Sequence, residues 1–422
     1  MNAEVFDHYI PIPKPQLVAA LVEHEGEEDA ADLRKLHHWL GLFYHVQFFE
    51  QLEKLKDKYE PFNPDKAGPT MIQPNPAAYR AFRDEMDATL VSANFQPLPS
   101  LALHAVDPRT GRLAQKVKLP KLIFRDLRFY ARGARERQIT KPGWLGLPFG
   151  RKRIKVLGYD NVLLAATACY GMPDKLRKSA RLRPGAVYLK LFRDIPQGDL
   201  LTLVPHARLS MPWRDRMFLG VPALIAGVPL LLKVVPAVSV MLLFMGTYLG
   251  ISGRVEEDTS KQAFAAAIVL GGLIGFMMRQ WTSFDRTALR NQKQVVDNAY
   301  FNKLNTNAGC FDYMIGTAEE SELSEIFLAY AFLRKADAPL TRQALDEQIE
   351  CWIEDRFGTR LDFEIDDALG KLRRLQLVSG DDEALLACDL PSALDQAASA
   401  WHNLADSLGM GAGTSFGPIN AA

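Results

Sequence analysis

The sequence predicts a multi-domain α+β membrane protein of 422 residues. Three observations support this class: a long uncharged apolar stretch near the middle of the chain, helical periodicity on both sides of it, and strand-like runs between residues 101 and 205. We expect a helical N-terminal region (1–100), a small basic α+β domain (101–205), a transmembrane region with a two-span helical hairpin (206–282), a helical stalk (283–317), a winged-helix-like domain (318–405) and a flexible tail (406–422).

The charges are distributed unevenly, although the formal net charge is zero. Residues 1–106 carry 9 basic and 16 acidic side chains, and residues 107–194 carry 22 basic and 6 acidic ones, a net charge of +16. Residues 195–317 carry 11 and 8, and residues 318–422 carry 8 and 20, a net charge of −12. The basic block predicts an anionic partner, whereas the acidic C-terminal region disfavours contact with nucleic-acid phosphates.

In the N-terminal region, apolar residues at helical spacing predict helices at 31–59 and 76–93. In the basic domain, short β-branched and apolar runs predict strands at 119–124, 154–157, 161–166 and 187–192. His37, His38 and His45 accompany Glu50 on the first helix, but no second helix offers a Glu-x-x-His partner, so structural histidines are favoured over a metal site. The four cysteines have no CxxC spacing, which favours free thiols in a reducing compartment.

The apolar stretch has the length of two membrane spans. Residues 234–253 are 20 uncharged positions, about 30 Å of helix, and residues 262–278 are 17 more. We therefore expect spans at about 233–253 and 262–279, with 217–232 as an interfacial or re-entrant segment or part of a tilted first span. Basic flanks on both sides and a net-acidic loop between the spans predict cytoplasmic termini. The expected location is the bacterial inner membrane, with an organellar membrane as the alternative.

Glycine pairs four residues apart occur in both predicted spans. Gly246 and Gly250 lie in the first span, and Gly271 and Gly275 lie in the second. Such spacing lets helix backbones approach closely, so the spans are expected to pack on each other or on a second copy in a homo-oligomer. Glycines are also common in such helices without any partner.

The C-terminal region predicts three helices, at 321–335, 341–357 and 363–375, followed by two short strands that pair as a wing. One core is expected to contain six apolar residues: Ile326, Leu345, Trp352, Ile365, Leu369 and Leu372. The third helix, which would read DNA, begins among Asp362, Glu364, Asp366 and Asp367. Phosphate repels these carboxylates, so a protein-binding winged helix is favoured over a DNA-binding one.

No P-loop, HExxH, EF-hand or strand-linked GxGxxG sequence is present. The sequence Gly413-Thr414-Ser415-Phe416-Gly417 matches GxSxG, but no His follows it and it lies in the predicted tail, so we attribute it to chance. The sequence therefore predicts no catalytic residues, no metal site and no cofactor.

Several short motifs along the chain, taken in order, resemble a known family. They are Tyr9-Ile10-Pro11-Ile12, Tyr44-His45, Tyr59-Glu60-Pro61-Phe62, Ala93-Asn94-Phe95, Tyr130-Ala131-Arg132-Gly133, Lys190-Leu191-Phe192-Arg193-Asp194-Ile195-Pro196 with Asp199, and Asp366-Asp367-Ala368-Leu369-Gly370-Lys371-Leu372. Their order and spacing resemble the transmembrane protein 143-like family, membrane proteins with a domain of unknown function. The resemblance implies two central spans between a basic N-terminal region and a helical C-terminal region. It implies no activity and no catalytic residues.

The functional hypothesis is a membrane-anchored, cytosol-facing adaptor. Its basic domain is expected to dock on anionic lipid headgroups through Arg151, Lys152, Arg153 and Lys155, at about 1 kcal/mol for each residue that faces the lipid. Its acidic C-terminal domain is expected to bind a protein, and nucleic acid is not expected as a partner. The alternative is an enzyme that acts on a lipid or another membrane-proximal substrate, with Arg132, Asp194 and Asp199 in loops as its site residues.

Overall fold

A computed structural model describes residues 8–26, 28–66, 75–99, 110, 116–119, 123–141, 152–210 and 302–408, with single positions or pairs between 238 and 282. The chain divides into two compact units. Unit 1 consists of Met1–Val106, Lys121–Leu200 and Asn302–Ala422, and unit 2 consists of Asp107–Pro120 and Leu201–Phe301. Unit 1 contains all of the elements described below except the strands Lys116–Lys118 and Arg208–Ser210 and the last three residues of the 3₁₀ helix Gln197–Leu203.

Three helices begin the chain: α1 (Lys14–Glu25), α2 (Ala30–Tyr59) and α3 (Pro76–Ser92), with a 3₁₀ turn at Glu60–Phe62 after α2. The apolar residues of α2 recur every three or four positions and form one buried stripe. The Asn75 side chain caps α3 by accepting a hydrogen bond from the backbone nitrogen of Ala78 at 3.0 Å. The helices predicted at 31–59 and 76–93 are confirmed.

The sheet of unit 1 has five antiparallel strands in the order β1-β3-β4-β5-β7. They are β1 (Gln96–Leu98), β3 (Phe124–Lys141), β4 (Lys152–Ala168), β5 (Val187–Pro196) and β7 (Lys303–Thr306). Helix α4 (Asp174–Ala180) lies between β4 and β5, and a 3₁₀ helix (Gln197–Leu203) follows β5. In unit 2, β2 (Lys116–Lys118) pairs with β6 (Arg208–Ser210). The strands predicted at 154–157 and 161–166 are parts of the single strand β4.

The C-terminal part consists of α5 (Ala308–Lys335), α6 (Arg342–Phe357), α7 (Ile365–Arg374), β8 (Val378–Ser379), β9 (Leu386–Ala387) and α8 (Leu390–Ser407). Strands β8 and β9 pair as a hairpin, and Leu340 pairs with Leu385 beside it. Helix α5 is continuous across residues 317 and 318, where the sequence suggests the border between stalk and winged-helix-like domain. Helix α8 follows the wing and is absent from the sequence-based scheme.

A single hydrophobic core joins the N-terminal helices, one face of the sheet and the C-terminal helices. Helix α2 packs against both α5 and α8, and α5 also packs against α7. Leu163, Leu189 and Leu191 contribute the sheet face of this core. Of the six residues expected to share a core, five are buried in this cluster and Trp352 packs against it while partly exposed.

The prediction of two membrane spans is contradicted. In the described part of the chain, no helix has both the length and the apolar character needed to cross a membrane. A span needs about 20 consecutive, mainly apolar helical residues. This finding overturns the two-span hairpin, the multi-pass membrane class and the location in the bacterial inner membrane. Residues 217–232, most of the stalk and residues 409–422 lie outside the described residues.

Candidate functional site

Two groups of buried charged residues lie in unit 1, and both contact the turn at residues 93–95. We call the first the arginine cage; its members are Tyr9, Phe95, Arg132 and Asn161. We call the second the lysine–carboxylate cluster; its members are Glu322, Glu325, Asp367 and Lys371. Burial of charge is costly unless the charge is paired, so both groups need a physical explanation.

The arginine cage surrounds a guanidinium group that is almost fully buried, because Arg132 is 2% exposed. Its Cζ lies 4.1 Å from the ring centroid of Tyr9 and 5.2 Å from that of Phe95, which is cation–π geometry. Its Nη1 donates to the Ala93 carbonyl oxygen at 3.4 Å, and its Nη2 donates to Asn161 Oδ1 at 3.0 Å. Its Nε is buried without a hydrogen-bond partner.

Strand pairing places these groups. Arg132 in β3 is directly opposite Asn161 in β4. Strand β1 pairs with residues 129–131 of β3, so Phe95, the residue before β1, is held beside Arg132. Asn94 adopts a left-handed conformation with φ of 57°, which reverses the chain between α3 and β1. Burial raises the pKa of Tyr9 above its usual value, and the nearby Arg132 charge partly offsets that rise.

The lysine–carboxylate cluster is formed by two helices. Glu322 and Glu325 are three residues apart on α5, and Asp367 and Lys371 are four residues apart on α7, so each pair lies on one face of its helix. The Lys371 ammonium group makes ion pairs with Glu322 and Asp367 and lies 3.8 Å from Glu325 Oε2. Asn94 Nδ2 donates to Glu325 Oε1 at 3.2 Å. The Lys371 side chain is only 6% exposed.

Burial moves two pKa values in this cluster toward neutrality. It raises the pKa of Glu325 to about 8; the hydrogen bond from Asn94 opposes this rise, and the Glu364 and Asp367 charges add to it. It lowers the pKa of Lys371 to about 7, and the Arg374 charge adds to that shift. At neutral pH burial therefore favours the protonated, uncharged form of Glu325, whereas Lys371, with a pKa near 7, is divided between its charged and uncharged forms.

The three carboxylates are close enough to hold a cation. One ligand oxygen from each of Glu322, Glu325 and Asp367 lies within 4.8 Å of the others. Oxygen ligands suit Mg²⁺ and Ca²⁺, but the Lys371 ammonium already places a positive charge among these oxygens. The residues therefore fit an internal ion network better than a metal centre.

The three candidate residues of the enzyme alternative have separate surroundings. Arg132 lies within a strand, and its hydrogen bonds go to Ala93 and Asn161. Asp194 lies in β5 with φ of 56° and pairs with Arg137. Asp199 is buried in the 3₁₀ helix after β5. Arg132 thus makes no hydrogen bond to either carboxylate.

The residues predicted to bind lipid lie at the start of β4. Arg151 is outside the described residues, and for Lys152 only the strand position is described. Arg153 is exposed, and Lys155 is exposed with its Nζ 3.0 Å from Glu136 Oε2. Elsewhere in the basic block, carboxylates neutralise part of the charge: Arg128 pairs with Asp87 and Asp126, and Arg135 and Arg137 pair with Asp160. Lipid docking stays a prediction.

The histidines of α2 lie in separate environments. His37 packs edge-on against Phe327 with ring centroids 5.1 Å apart, and burial lowers its pKa to about 4. His45 Nδ1 lies 3.0 Å from Glu319 Oε2. His38 contacts the neighbouring Trp39. Each of these histidines thus has packing or polar contacts of its own, as expected of structural histidines.

The glycine pairs are described only in part. Gly246, Gly271 and Gly275 belong to described positions, and Gly250 does not. A Cβ built at Gly271 or Gly275 would meet nothing within 4 Å. Large apolar side chains at neighbouring described positions are exposed, among them Leu242, Leu249, Phe264 and Met278. Homo-oligomer contact through these glycines stays a prediction.

An acidic surface surrounds the N-terminal end of α6. We call it the acidic face; its members are Asp346, Asp362, Asp366, Asp382 and Glu383. Arg342 donates from Nη2 to Asp366 Oδ2 at 2.8 Å, and its backbone nitrogen donates to the Asp382 carbonyl oxygen at 2.7 Å. Burial raises the pKa of Asp346 to about 6, and the negative charges of Glu350, Asp362 and Asp366 add to the rise. The two arginines at this face, Arg342 and Arg373, pair with Asp366 and Asp382.

Comparison with protein-family models identifies a match in the middle of the chain. Residues 159–309 match the model of a family described as "Protein of unknown function (DUF3754)". This segment is a domain of unknown function. The domain begins in β4, includes β5 and β7, and ends in the first turn of α5. No solved structure matches the chain.

Sequence reasoning identified neither buried group as a site. Tyr9, Asn94, Arg132 and Lys371 each belong to a different motif of the family resemblance, so that set of motifs is a signal that could have identified both groups. Glu322 and Glu325 were missed because they resemble ordinary helix-surface residues. Their position directly before the apolar run 326–333 was the available signal, because that run requires the surrounding helix to be buried.

Proposed function

We propose that this protein is an adaptor that binds a basic segment of a protein partner through the acidic face. The observation that supports this most is the charge of that face. Its five carboxylates adjoin two arginines, and both arginines already pair with members of the face. Complementary charge raises the rate and the specificity of association more than its strength.

The surrounding elements support a winged-helix-like domain that does not read DNA. The order of α5, the Leu340 bridge, α6, α7 and the β8–β9 hairpin is that of a winged helix, with α7 in the place of the reading helix. A reading helix offers cations to phosphate and donors to bases. Here Lys371 is buried, and exposed carboxylates occupy the start of α7.

The pKa of Asp346 gives a second, independent support. Because burial, and after it the neighbouring carboxylates, raise the pKa of Asp346 to about 6, this group holds a proton up to that pH. A bound cationic segment would relieve that repulsion and favour the ionised form. Binding should therefore release a proton near pH 6, and the affinity should increase as the pH rises through that value.

The test uses the full chain and a fluorescently labelled oligo-arginine peptide, with binding followed by anisotropy. We expect binding that weakens steeply with salt. A variant with Asp366→Asn, Asp382→Asn and Glu383→Gln should lose about tenfold in affinity, at roughly 0.5 kcal/mol for each exposed charge. The control variant, Asp395→Asn with Asp406→Asn, neutralises exposed carboxylates on α8 and should bind as the unmodified chain does. Equal losses in both variants, or tighter binding of duplex DNA than of the peptide, would refute the proposal.

Anionic lipid headgroups are a second proposed partner, for the start of β4. The supporting observation is that Arg153 is exposed and that Lys155 has only an exposed carboxylate partner, which offsets little of its charge. Co-sedimentation with phosphatidylcholine vesicles, with and without phosphatidylserine, measures this contact. Neutralising Arg151, Lys152, Arg153 and Lys155 together should weaken binding to the anionic vesicles by about 1 kcal/mol for each residue that faces the lipid. Undiminished binding would remove these residues from the docking surface.

We also infer that the chain belongs to the transmembrane protein 143-like family. The support is that residues from four of the motifs lie close together in the structure. These residues, Tyr9, Asn94, Arg132 and Lys371, meet in the arginine cage and the adjoining lysine–carboxylate cluster. An alignment of that family tests it: these four positions should be retained together. Independent variation of Arg132 and its aromatic partners would argue against membership.

A further inference from the structure

Arg132 differs in its partners from two partly buried arginines, Arg137 and Arg334. Arg334 pairs with Glu25 and Asp29, and Arg137 pairs with Asp160 and Asp194. Every partner of Arg132 is neutral: a carbonyl oxygen, an amide oxygen and two aromatic rings. Among the described residues, no carboxylate makes an ion pair with it. A fully buried cation without a counter-charge is expensive, and an anion is the partner that would compensate it best.

The Arg132 guanidinium group also has N–H donors that make no hydrogen bond to the described residues. It carries five N–H groups, and its hydrogen bonds to Ala93 and Asn161 use two of them. The Nε is buried and has no partner. The rings of Tyr9 and Phe95 lie near the guanidinium carbon in cation–π geometry. The remaining N–H donors point outward in the plane of the guanidinium. In-plane donors in a fork match the two oxygens of a carboxylate or a phosphate.

A short segment before α1 covers this group. We call residues 8–13 the N-terminal strap. The Tyr9 ring lies over Arg132, and the His8 carbonyl oxygen accepts from Asn94 Nδ2 at 3.5 Å. His8 Nδ1 lies 2.9 Å from the Asp362 carbonyl oxygen. Lifting the strap would expose Ile10 and Ile12, which are buried in the core. It would break no helix or strand, because none lies within residues 8–13, and local openings of this kind cost less free energy than unfolding of the whole chain.

We propose that Arg132 binds a small oxyanion, a phosphate or carboxylate group, that enters when the N-terminal strap lifts. The anion takes the free Nε and the edge donors, while Asn161 and the Ala93 carbonyl hold the guanidinium in its orientation. Asp160, on the strand next to Arg132, is already engaged by Arg135 and Arg137, so it does not compete for the guanidinium. The closed strap and the bound anion compete for the same cation.

The test compares thermal unfolding of the full chain in sodium phosphate, sodium acetate and sodium chloride at equal ionic strength. Phosphate or acetate, but not chloride, should raise the midpoint temperature, because a ligand of the native state stabilises it. The phosphate and acetate arms distinguish the two oxyanions. Tyr9→Ala should shift the response to about tenfold lower anion concentration, since a weaker strap leaves a larger binding-competent fraction. Tyr9→Phe keeps the ring and should respond as the unmodified chain does.

Arg132→Gln should abolish the oxyanion response, and Arg334→Gln, which removes a partly buried arginine that has carboxylate partners, should leave it intact. Arg132→Lys serves as the second variant if Arg132→Gln does not fold, because it retains a buried cation but lacks the fork. We expect it to need at least several-fold more anion. An unchanged response in the Arg132 variant that folds, or no response in Tyr9→Ala, would overturn the proposal.

Discussion

Asn94 Nδ2 donates a hydrogen bond to Glu325 Oε1 at 3.2 Å, across 231 residues of sequence. The same turn gives its Ala93 carbonyl oxygen to Arg132. One three-residue turn therefore holds both buried groups in place: the guanidinium on β3 and the Glu325 carboxyl group on α5. Loss of either hydrogen bond would leave a polar group buried without a partner, which costs more than an average hydrogen bond contributes.

The pH dependence of stability should change when Glu325 is replaced by Gln. Burial raises the pKa of Glu325 from 4.5 to about 8, so between these values the native state holds a proton that the unfolded state releases. The stability contributed by this group is fully present below pH 4.5 and is lost as the pH rises to 8. Gln keeps an oxygen for Asn94 and does not titrate. Glu325→Gln should therefore be more stable than the unmodified chain above pH 8, by a few kcal/mol.

Urea unfolding over a range of pH measures this difference. Glu347→Gln, at an exposed position of α6, provides the control and should not produce this gain above pH 8. A Glu325→Gln profile parallel to that of the unmodified chain would show that Glu325 does not hold the proton.

Replacing Lys371 by Met should strongly destabilise the fold. The substitution removes the cation and leaves Glu322 buried without its ion-pair partner, a change that costs about 3–5 kcal/mol. Adding Glu322→Gln should recover part of that loss, because it removes the uncompensated charge. Arg373→Met removes an exposed ion pair with Asp382 and should cost under about 1 kcal/mol. Guanidinium unfolding measures the stability of Lys371→Met, of the double variant Lys371→Met with Glu322→Gln, and of Arg373→Met. A double variant that loses more stability than Lys371→Met alone would contradict the coupling of the two residues.

Alanine substitution at two glycines should have opposite effects. Gly133 has φ of 73°, and a Cβ there would lie 2.6 Å from the Asp160 Cβ. Gly133→Ala should therefore destabilise by about 1–3 kcal/mol from backbone strain, with the steric clash in addition. Gly316 lies inside α5, and a Cβ there would meet nothing within 4 Å. Gly316→Ala should stabilise by about 0.5–1 kcal/mol. Thermal unfolding measures both, and effects of the same sign would contradict the geometry.

Leu369 tests the packing of α7. It is buried in the core shared by α5 and α7, so Leu369→Ala should cost about 2–5 kcal/mol. Val91 is 66% exposed, and Val91→Ala should change the stability by no more than about 0.5 kcal/mol. Chemical denaturation of both variants provides the comparison. A small loss at Leu369 would place α7 outside the core.

Helices with a one-sided apolar stripe could be predicted from the sequence, and α2 and α6 lie where that pattern indicates. Strand β3 could not be predicted, because Arg128, Arg132, Gly133, Arg135 and Arg137 give it neither apolar alternation nor strong β propensity. Its strand conformation comes from pairing with β4 over almost its whole length. Most of the paired residues are more than ten positions apart, so the short segments from which strands are predicted do not contain both partners.

The membrane spans were predicted from the length and hydropathy of the apolar stretch, from the charges that flank it and from the family resemblance. A run of uncharged residues indicates apolar character, but a span also needs a continuous helix, and the described residues contain none of sufficient length and hydropathy. The arginine cage could not be predicted from the sequence for a different reason. Its partners come from residues 9, 95, 132 and 161, and only the fold brings them together.

The packing of α2 on α5 and α8 also has a consequence for synthesis on the ribosome. About 250 residues separate the end of α2 from the start of α5, so at roughly 5–20 residues per second α5 emerges about 10–50 s after α2. During that interval the apolar stripe of α2 has neither of its main partners. For more than half of its elongation the nascent chain therefore carries a hydrophobic helix that α1 and α3 cover only in part, and binding of a chaperone to the rest of the stripe would protect the chain from aggregation.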